Sequence, residues 1–249
     1  MEAGHSRSGG KRVAFFGGSF DPPHLGHLAV ARAAQAALGL DEVLFAPVGA
    51  QPLKPLGSTA TFADRLAMTK LAIAEDAGFE VSLADAPRPG GAPNYTLETL
   101  RRLRSSLGSE DALFCLMGAD SFFGLRQWHG AAEIPFAAAL IVAARPGQNL
   151  EGLKTDLLAA LPAGLTLEAG DEGGLKGVRS YLLRNAAGAS TPMYLLPGLH
   201  IEISASQVRE EIRRQIQEQR AAGPEAADGG GGLLPKAVFE YIQSHGLYR

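Results

Sequence analysis

Two short groups of residues in this chain have the types and spacing to handle an anion. The first is Gly17-Gly18-Ser19-Phe20-Asp21-Pro22-Pro23-His24-Leu25-Gly26-His27. His24 and His27 lie three apart, so in the first turn of a helix they share one face and could both reach one ligand. The glycines allow close backbone approach, and the free N–H groups and positive end of a helix starting there favour a phosphate. A metal ion is the other chemistry open to two imidazoles one turn apart. No further Cys or acidic cluster sits nearby, however, and metal-ligating pairs more often lie four apart. The second group is Ile203-Ser204-Ala205-Ser206-Gln207-Val208-Arg209. Two hydroxyls at a helix start, free amides in its first turn and an arginine one turn in suit a β,γ-pyrophosphate. The plainer reading is an N-cap followed by a solvated face, and Arg213, Arg214 and Arg220 are read that way.

The elements that must position these groups follow from periodicity. Val13 to Phe16 is an apolar run ending at a glycine pair. After His27 the apolar spacing becomes helical at Leu28, Val30, Ala31, Ala34 and Leu38. The junction is strand, glycine turn, helix N-terminus, which is where α/β folds bind phosphates. Further strands are expected at Glu42–Val48, Phe79–Leu83, Ala112–Gly118, Phe136–Ala144 and Met193–Leu196, with His200–Ile203 following the last. Helices are expected at Thr59–Ala77, capped by Thr61 or Ser58, from Tyr95 through Leu107, at Gln207–Arg220 behind Ser204, and over Leu234–Arg249. Strands alternating with helices of this length predict an α/β fold, Rossmann-like and doubly wound, with a mostly parallel sheet and a C-terminal helical segment. Gln148–Ser190 is the least informative stretch. A helix fits Leu153–Leu161, while Gly170–Gly177 and Ala186–Gly188 read as flexible insertion.

Size and composition limit the function classes. With 249 residues, 46% apolar and 20% charged, the chain can bury a full core. A net charge of −3 gives no global attraction to nucleic acid or a membrane surface. No apolar run approaches the ~20 residues that span a bilayer. Residues 1–11 are rich in Gly, Ser and charge without an apolar segment, so they read as a disordered tail rather than a secretory signal. The single cysteine, Cys115, lies in an apolar run, reads as buried and inert, and suits a reducing cytoplasm. Neither G-x-G-x-x-G nor G-x-x-x-x-G-K-[ST] occurs, which argues against dinucleotide-fingerprint and P-loop enzymes.

The first group resembles the signature of the HxGH nucleotidyltransferases, and the second resembles that superfamily's I-S-S/A-T-x-I/V-R motif. Intermediate landmarks occur in the order of the bacterial nicotinate-nucleotide adenylyltransferases: Asn94-Tyr95-Thr96, Gly118-Ala119-Asp120-Ser121, Trp128, Arg145-Pro146-Gly147 and the closing Gly246-Leu247-Tyr248-Arg249. The resemblance covers 12–148 and 193–249. It implies one nucleotidyltransferase domain over 12–249, with insertions at 151–190 and 221–232. It also implies transfer of AMP from ATP to nicotinate mononucleotide by direct displacement, releasing pyrophosphate in NAD biosynthesis, with Mg²⁺ accompanying ATP.

In that reading His24, His27 and Arg209 are the catalytic residues. ATP is bound by Gly17, Gly18, Ser19, Phe20, Gly26, Lys54, Ser204 and Ser206. The acceptor is bound by Tyr95, Thr96, Asp120, Trp128 and Arg145, and no protein metal cage is expected. Partners are then ATP and nicotinate mononucleotide, with no nucleic acid or membrane, a cytoplasmic location, and a homo-oligomer left open. Leu53 stands where the family carries a histidine, and Ser206 where it carries threonine. The alternatives are a related adenylyltransferase using nicotinamide mononucleotide or another small phosphorylated acceptor, and a non-catalytic nucleotide-binding module.

Overall fold

A computed structural model describes residues 9–53, 57–144, 150–170, 177–196, 203–222 and 232–249. Lys54, Arg145, residues 200–202 and most of the glycine-rich 223–232 stretch lie outside them. All strands join one eight-stranded sheet of order β3-β2-β1-β4-β5-β8-β7-β6. These strands are β1 (Arg12–Gly18), β2 (Glu42–Pro47), β3 (Phe79–Val81), β4 (Ala112–Gly118), β5 (Ala139–Ala143), β6 (Leu165–Ala169), β7 (Arg179–Asn185) and β8 (Ser190–Leu196). The first six in spatial order, β3 to β8, run parallel, and β7 and β6 extend the sheet antiparallel. This is the expected mostly parallel, doubly wound sheet. The chain reverses its direction of winding between β1 and β4, and the crevice beyond the carboxyl ends of those strands is where such sheets bind ligands.

Alternation along β1 builds a core on each face. Ala14 and Phe16 face one cluster with Leu28 of α1 (Leu25–Leu38), Met68 of α2 (Phe62–Ile73), Val208 and Ile212 of α7 (Ala205–Ala222), and Val238 and Ile242 of α8 (Lys236–His245). Val13 and Phe15 face the other, with Leu97 and Leu100 of α3 (Thr96–Ser106), Phe122 of α4 (Ala119–Phe123), Ile134 of α5 (Ile134–Ala137) and Leu157 of α6 (Leu150–Ala160). A strand buried on both faces reads as a continuous apolar run, which is why Val13–Phe16 and Ala112–Met117 were recognisable.

Some boundaries differ from expectation, each for a physical reason. Thr61 caps α2 by accepting the Asp64 N–H, so that helix starts at Phe62 rather than Thr59; it ends at Ile73. The apolar run from Phe136 is split: Pro135 sits in the first turn of α5, and β5 begins only at Ala139. α8 ends at His245, where Gly246 takes the left-handed conformation (φ 62°) that closes a helix. The uninformative stretch holds α6 and an antiparallel pair, β6 and β7. Leu183 of that pair is fully buried and Tyr181 is 5% exposed. The segment continues the sheet, although 171–176 lie outside the described residues.

Candidate active site

The glycine pair at the end of β1 sets the entrance. A Cβ on Gly17 would lie 2.8 Å from the Phe15 ring, so only glycine lets the chain leave the strand at that point. The Gly18 carbonyl accepts the Val48 N–H at 2.9 Å, keeping the ends of β1 and β2 level. Phe20 holds a positive φ of 45°, rare for a bulky residue and often found at functional turns. Its ring is buried against Phe16, Phe45 and His27 at centroid distances of 5.6, 5.6 and 5.0 Å. Phe20 therefore supports the floor under His27, leaving its backbone to line the turn.

His24 is the N-cap of α1, and His27 is its third helical residue. The rings stack at 3.7 Å and 28°. The His24 backbone N–H donates to His27 Nδ1 at 3.1 Å, so a neutral His27 carries its proton on Nε2. Burial lowers His24 to about 4, and burial followed by the charge of His24 holds His27 well below the ordinary histidine range. Both rings are thus neutral near pH 7, and His24 Nδ1 is buried without a partner. The pair offers hydrogen-bond donors to an anion rather than two fixed cations.

The second sequence group arrives at the same turn. A Cβ on Gly26 would lie 3.0 Å from His24 Nδ1 and 3.4 Å from Ile203 Cβ, so the glycine lets the approach to α7 pack on α1. Arg209 Nη1 donates to the Asp21 carbonyl at 2.8 Å, spanning 188 residues of sequence. Ser204 is engaged locally. Its Oγ donates to Gln207 Oε1 at 2.8 Å and accepts the Gln207 N–H at 3.3 Å, a reciprocal cap. The amide of Gln207, expected to be free, is therefore occupied. The Ser206 hydroxyl lies 3.4 Å from Arg209 Nη2.

Three residues that sequence reasoning missed hold this turn. Asp21, 4% exposed, accepts Thr59 N–H on Oδ2 at 2.6 Å, and Ala60 N–H and the Tyr248 hydroxyl on Oδ1 at 3.1 and 2.7 Å. Arg65, 2% exposed, donates to the Ser19 and Val48 carbonyls at 2.6 and 2.8 Å, joining the turn to the end of β2. Tyr248 was noted only as part of a closing landmark. Their partners are distant in sequence, and no local pattern pointed to them.

Of the expected acceptor residues, Tyr95, Thr96, Asp120 and Trp128 lie around the start of α3 and the segment after β4, and Arg145 lies outside the described residues. Tyr95 caps α3 and Thr96 begins it. Trp128 is half-buried and ends a 3₁₀ turn, Leu125–Gln127. The two segments meet through His129, whose ring lies 4.6 Å from that of Tyr95. Asn94 pins the loop before α3. Its N–H donates to the Ala50 carbonyl, its Oδ1 accepts the Ala50 N–H, and its Nδ2 donates to the Ala86 carbonyl, each at 3.0 Å. Asp120 is the second residue of α4 and follows β4 directly. Buried Asp85, bonded to Thr99 and pushed up by desolvation, lies 3.8 Å from a Cβ position at Gly17 and was not singled out from sequence. Leu53 is 55% exposed. Cys115 is buried and pushed up to about 12, so it stays a thiol. Among the described residues, no group of three or more His, Cys, Asp or Glu is placed to hold a metal ion. No described helix is long and apolar enough to cross a membrane.

Comparisons with known proteins agree with this geometry. Residues 15–211 match the cytidylyltransferase-like family. The chain is 38% identical over 239 residues to a probable nicotinate-nucleotide adenylyltransferase of Chromobacterium violaceum, covering 96% of this chain and 99% of that one. It is 35% identical to the proteins of that name from Gloeobacter violaceus and Thermus thermophilus, covering 96% of this chain and 97% and 100% of theirs. Its fold is that of Plasmodium falciparum nicotinic acid mononucleotide adenylyltransferase complexed with NaAD. That match has a TM-score of 0.63 at 15% identity, covering 96% of this chain and 97% of that one.

Proposed function

Because the chain belongs to the nicotinate-nucleotide adenylyltransferase family of cytidylyltransferase-like nucleotidyltransferases, we propose that it transfers AMP from ATP to nicotinate mononucleotide. The products are nicotinate adenine dinucleotide and pyrophosphate. The observation that carries the reading is the meeting of the His24–His27 turn and the Ser204–Arg209 segment, joined by the bond from Arg209 to the Asp21 carbonyl. Relatives named for this reaction support the choice of acceptor.

The chemistry asks little of the protein in proton transfer. An oxygen of the acceptor's phosphate, already anionic, attacks the α-phosphorus of ATP. The bond from that phosphorus to the bridging oxygen breaks, and the electron pair leaves with pyrophosphate. Catalysis is then alignment plus stabilisation of charge on the phosphoryl oxygens. In this reading the His27 Nε2–H and the His24 ring take the α- and β-phosphates at the positive end of α1. Contrary to the expectation of free first-turn amides, the Leu25 and His27 N–H groups donate to the Leu233 and His24 carbonyls at 3.0 and 2.9 Å. Arg209, and in this reading Ser206 and Lys54, take the β- and γ-phosphates. Gly17, Gly18 and Gly26 permit close approach of the nucleotide, and Ser19 adds a hydroxyl. Tyr95, Thr96, Trp128, Asp120 and Arg145 take the acceptor, with Trp128 stacking on its pyridine ring.

Mg²⁺ fits this site as a companion of the triphosphate. The carboxylate of Asp21, the acid within the turn, is engaged by three donors. Phosphate oxygens and water would therefore hold the ion, which commonly keeps several waters. It would supply charge neutralisation to the leaving pyrophosphate.

The test is pyrophosphate release from ATP and Mg²⁺ with nicotinate mononucleotide, its amide, or phosphopantetheine as acceptor. Release with the nicotinate acceptor, and preference for it, supports the proposal. Preference for another acceptor replaces the substrate, and release with none would leave a nucleotide-binding module.

A further inference from the structure

The last folded residues of the chain return to the phosphate-binding turn. After α8, Gly246 turns the backbone in the left-handed region, and the Leu247 N–H closes on the Ile242 carbonyl at 3.0 Å. Tyr248 then takes a positive φ of 60°, uncommon for an aromatic residue. Its side chain is 6% exposed, and its hydroxyl donates to Asp21 Oδ1 at 2.7 Å, 227 residues away. The backbone carbonyl of the same Asp21 holds Arg209, and its carboxylate holds the Thr59 and Ala60 amides. His24 follows three residues later.

We propose that Tyr248 is a positioning residue for ATP: through Asp21 it locks Arg209 and the His24–His27 turn into one rigid anion-binding unit. The reason is geometric. Arg209 and His24 lie on different helices; Asp21 accepts from the first through its carbonyl and precedes the second by three residues in the same turn. An aspartate carboxylate can rotate about χ2. The Thr59 amide holds Oδ2, the Ala60 amide reaches Oδ1 at 3.1 Å, and the Tyr248 hydroxyl is the shorter of the two bonds to Oδ1, at 2.7 Å. Burial and the neighbouring carboxylate push the phenol up, so it remains a donor at any working pH. Without the Tyr248 hydroxyl, Oδ1 keeps only the longer bond from Ala60, and the looser carboxylate lets the adjoining carbonyl bonded to Arg209 shift. Small misplacements at such a site are costly, about 100-fold in rate for 1 Å.

A second tyrosine supplies the control. Tyr241, on α8, donates to Asp64 Oδ1 of α2 at 3.0 Å. That is the same kind of bond from the same C-terminal segment, but it reaches a carboxylate at the start of α2 rather than the phosphate-binding turn. If the C-terminal segment only stabilises the fold, removing either hydroxyl has the same consequence.

This inference rests on the ATP reading of the site, so ATP binding is measured without acceptor as well as in turnover. Tyr248→Phe, Tyr241→Phe and Asp21→Asn are compared with the unaltered protein by calorimetric ATP titration, steady-state kinetics and thermal melting. Tyr248→Phe and Asp21→Asn are expected to weaken ATP binding and lower kcat by about 10-fold, the usual size for a lost bond to a charged group. The KM for the acceptor should stay unchanged. Tyr241→Phe should lower Tm comparably and leave both kinetic constants alone. Equal kinetics for Tyr248→Phe and the unaltered protein, or equal kinetic losses in Tyr248→Phe and Tyr241→Phe, overturns the inference. If the unaltered protein fails to bind ATP, the ATP reading falls and takes this inference with it.

Discussion

The imidazoles of His24 and His27 stack at 3.7 Å, and the backbone N–H of the first donates to Nδ1 of the second. Burial keeps the His24 ring neutral, and burial followed by the charge of His24 does the same for His27. In the unfolded chain a histidine takes up its proton near pH 6.5, as model peptides do. In the folded protein His24 does so only at about 4. Between those values the unfolded state binds more protons, so stability is full above about 6.5 and falls as the pH drops toward 4. The depression of His24 corresponds to roughly 3 kcal/mol across that window. Thermal melts from pH 7.5 to 4.5 should show Tm declining, and the decline should be shallower in His24→Gln. A decline of equal steepness in the variant would contradict the buried, neutral state assigned to His24.

Gly26→Ala separates function from folding. In a helix, alanine is normally better than glycine by about 1 kcal/mol, so the backbone gains from the change. The new Cβ, however, would meet His24 Nδ1 at 3.0 Å and Ile203 at 3.4 Å, and the ring must shift by a few tenths of an ångström. Tm should change by only a few degrees, while kcat/KM for ATP falls by at least about 10-fold for a displaced phosphate ligand. Unchanged kcat/KM would show that the His24 ring needs no such placement.

Arg65 is buried and bridges the Ser19 and Val48 carbonyls. Burial pulls its pKa down, and the charge of Asp21 opposes that shift. Arg65→Met leaves both carbonyls without that donor, at a cost of roughly 2–4 kcal/mol. In a protein of this size that lowers Tm by about 5–15 °C. Arg65→Lys should recover little, because an ammonium cannot reproduce the planar fork that spans two carbonyls. Differential scanning calorimetry reads both variants, and a full rescue by lysine would contradict the bridging role.

The parts legible in the sequence are those whose cause is local. His24, Gly26 and His27 sit within one turn, and the change from an apolar run to helical spacing announces the junction that exposes them. Arg209 is legible through its resemblance to the family motif, since its local pattern alone does not set it apart from Arg213, Arg214 and Arg220 on the same helix. Asp21 lay in plain view between Phe20 and Pro22, yet nothing nearby shows that its donors come from residues 59, 60 and 248. Arg65 occupies the buried side of α2, where an arginine is indistinguishable by type from a solvated one. The β6–β7 pair escaped because Leu165 and Leu167 alternate with exposed residues between glycine-rich segments, a pattern shared with loops. Pro135 could have revealed α5, since proline in a first helical turn is a known start signal. The apolar run after it masked that signal.

The central claim is that His27 grips the phosphates of ATP as a neutral donor, with its ring fixed by His24. The most direct test is the turnover of His27→Ala with ATP, Mg²⁺ and nicotinate mononucleotide at pH 7.5, measured beside its circular dichroism and melting curve. The account predicts a drop in kcat of about 100-fold or more, the scale for removing one preorganised donor to transition-state charge, in a protein whose spectrum matches the parent. A folded His27→Ala variant with undiminished turnover would contradict it.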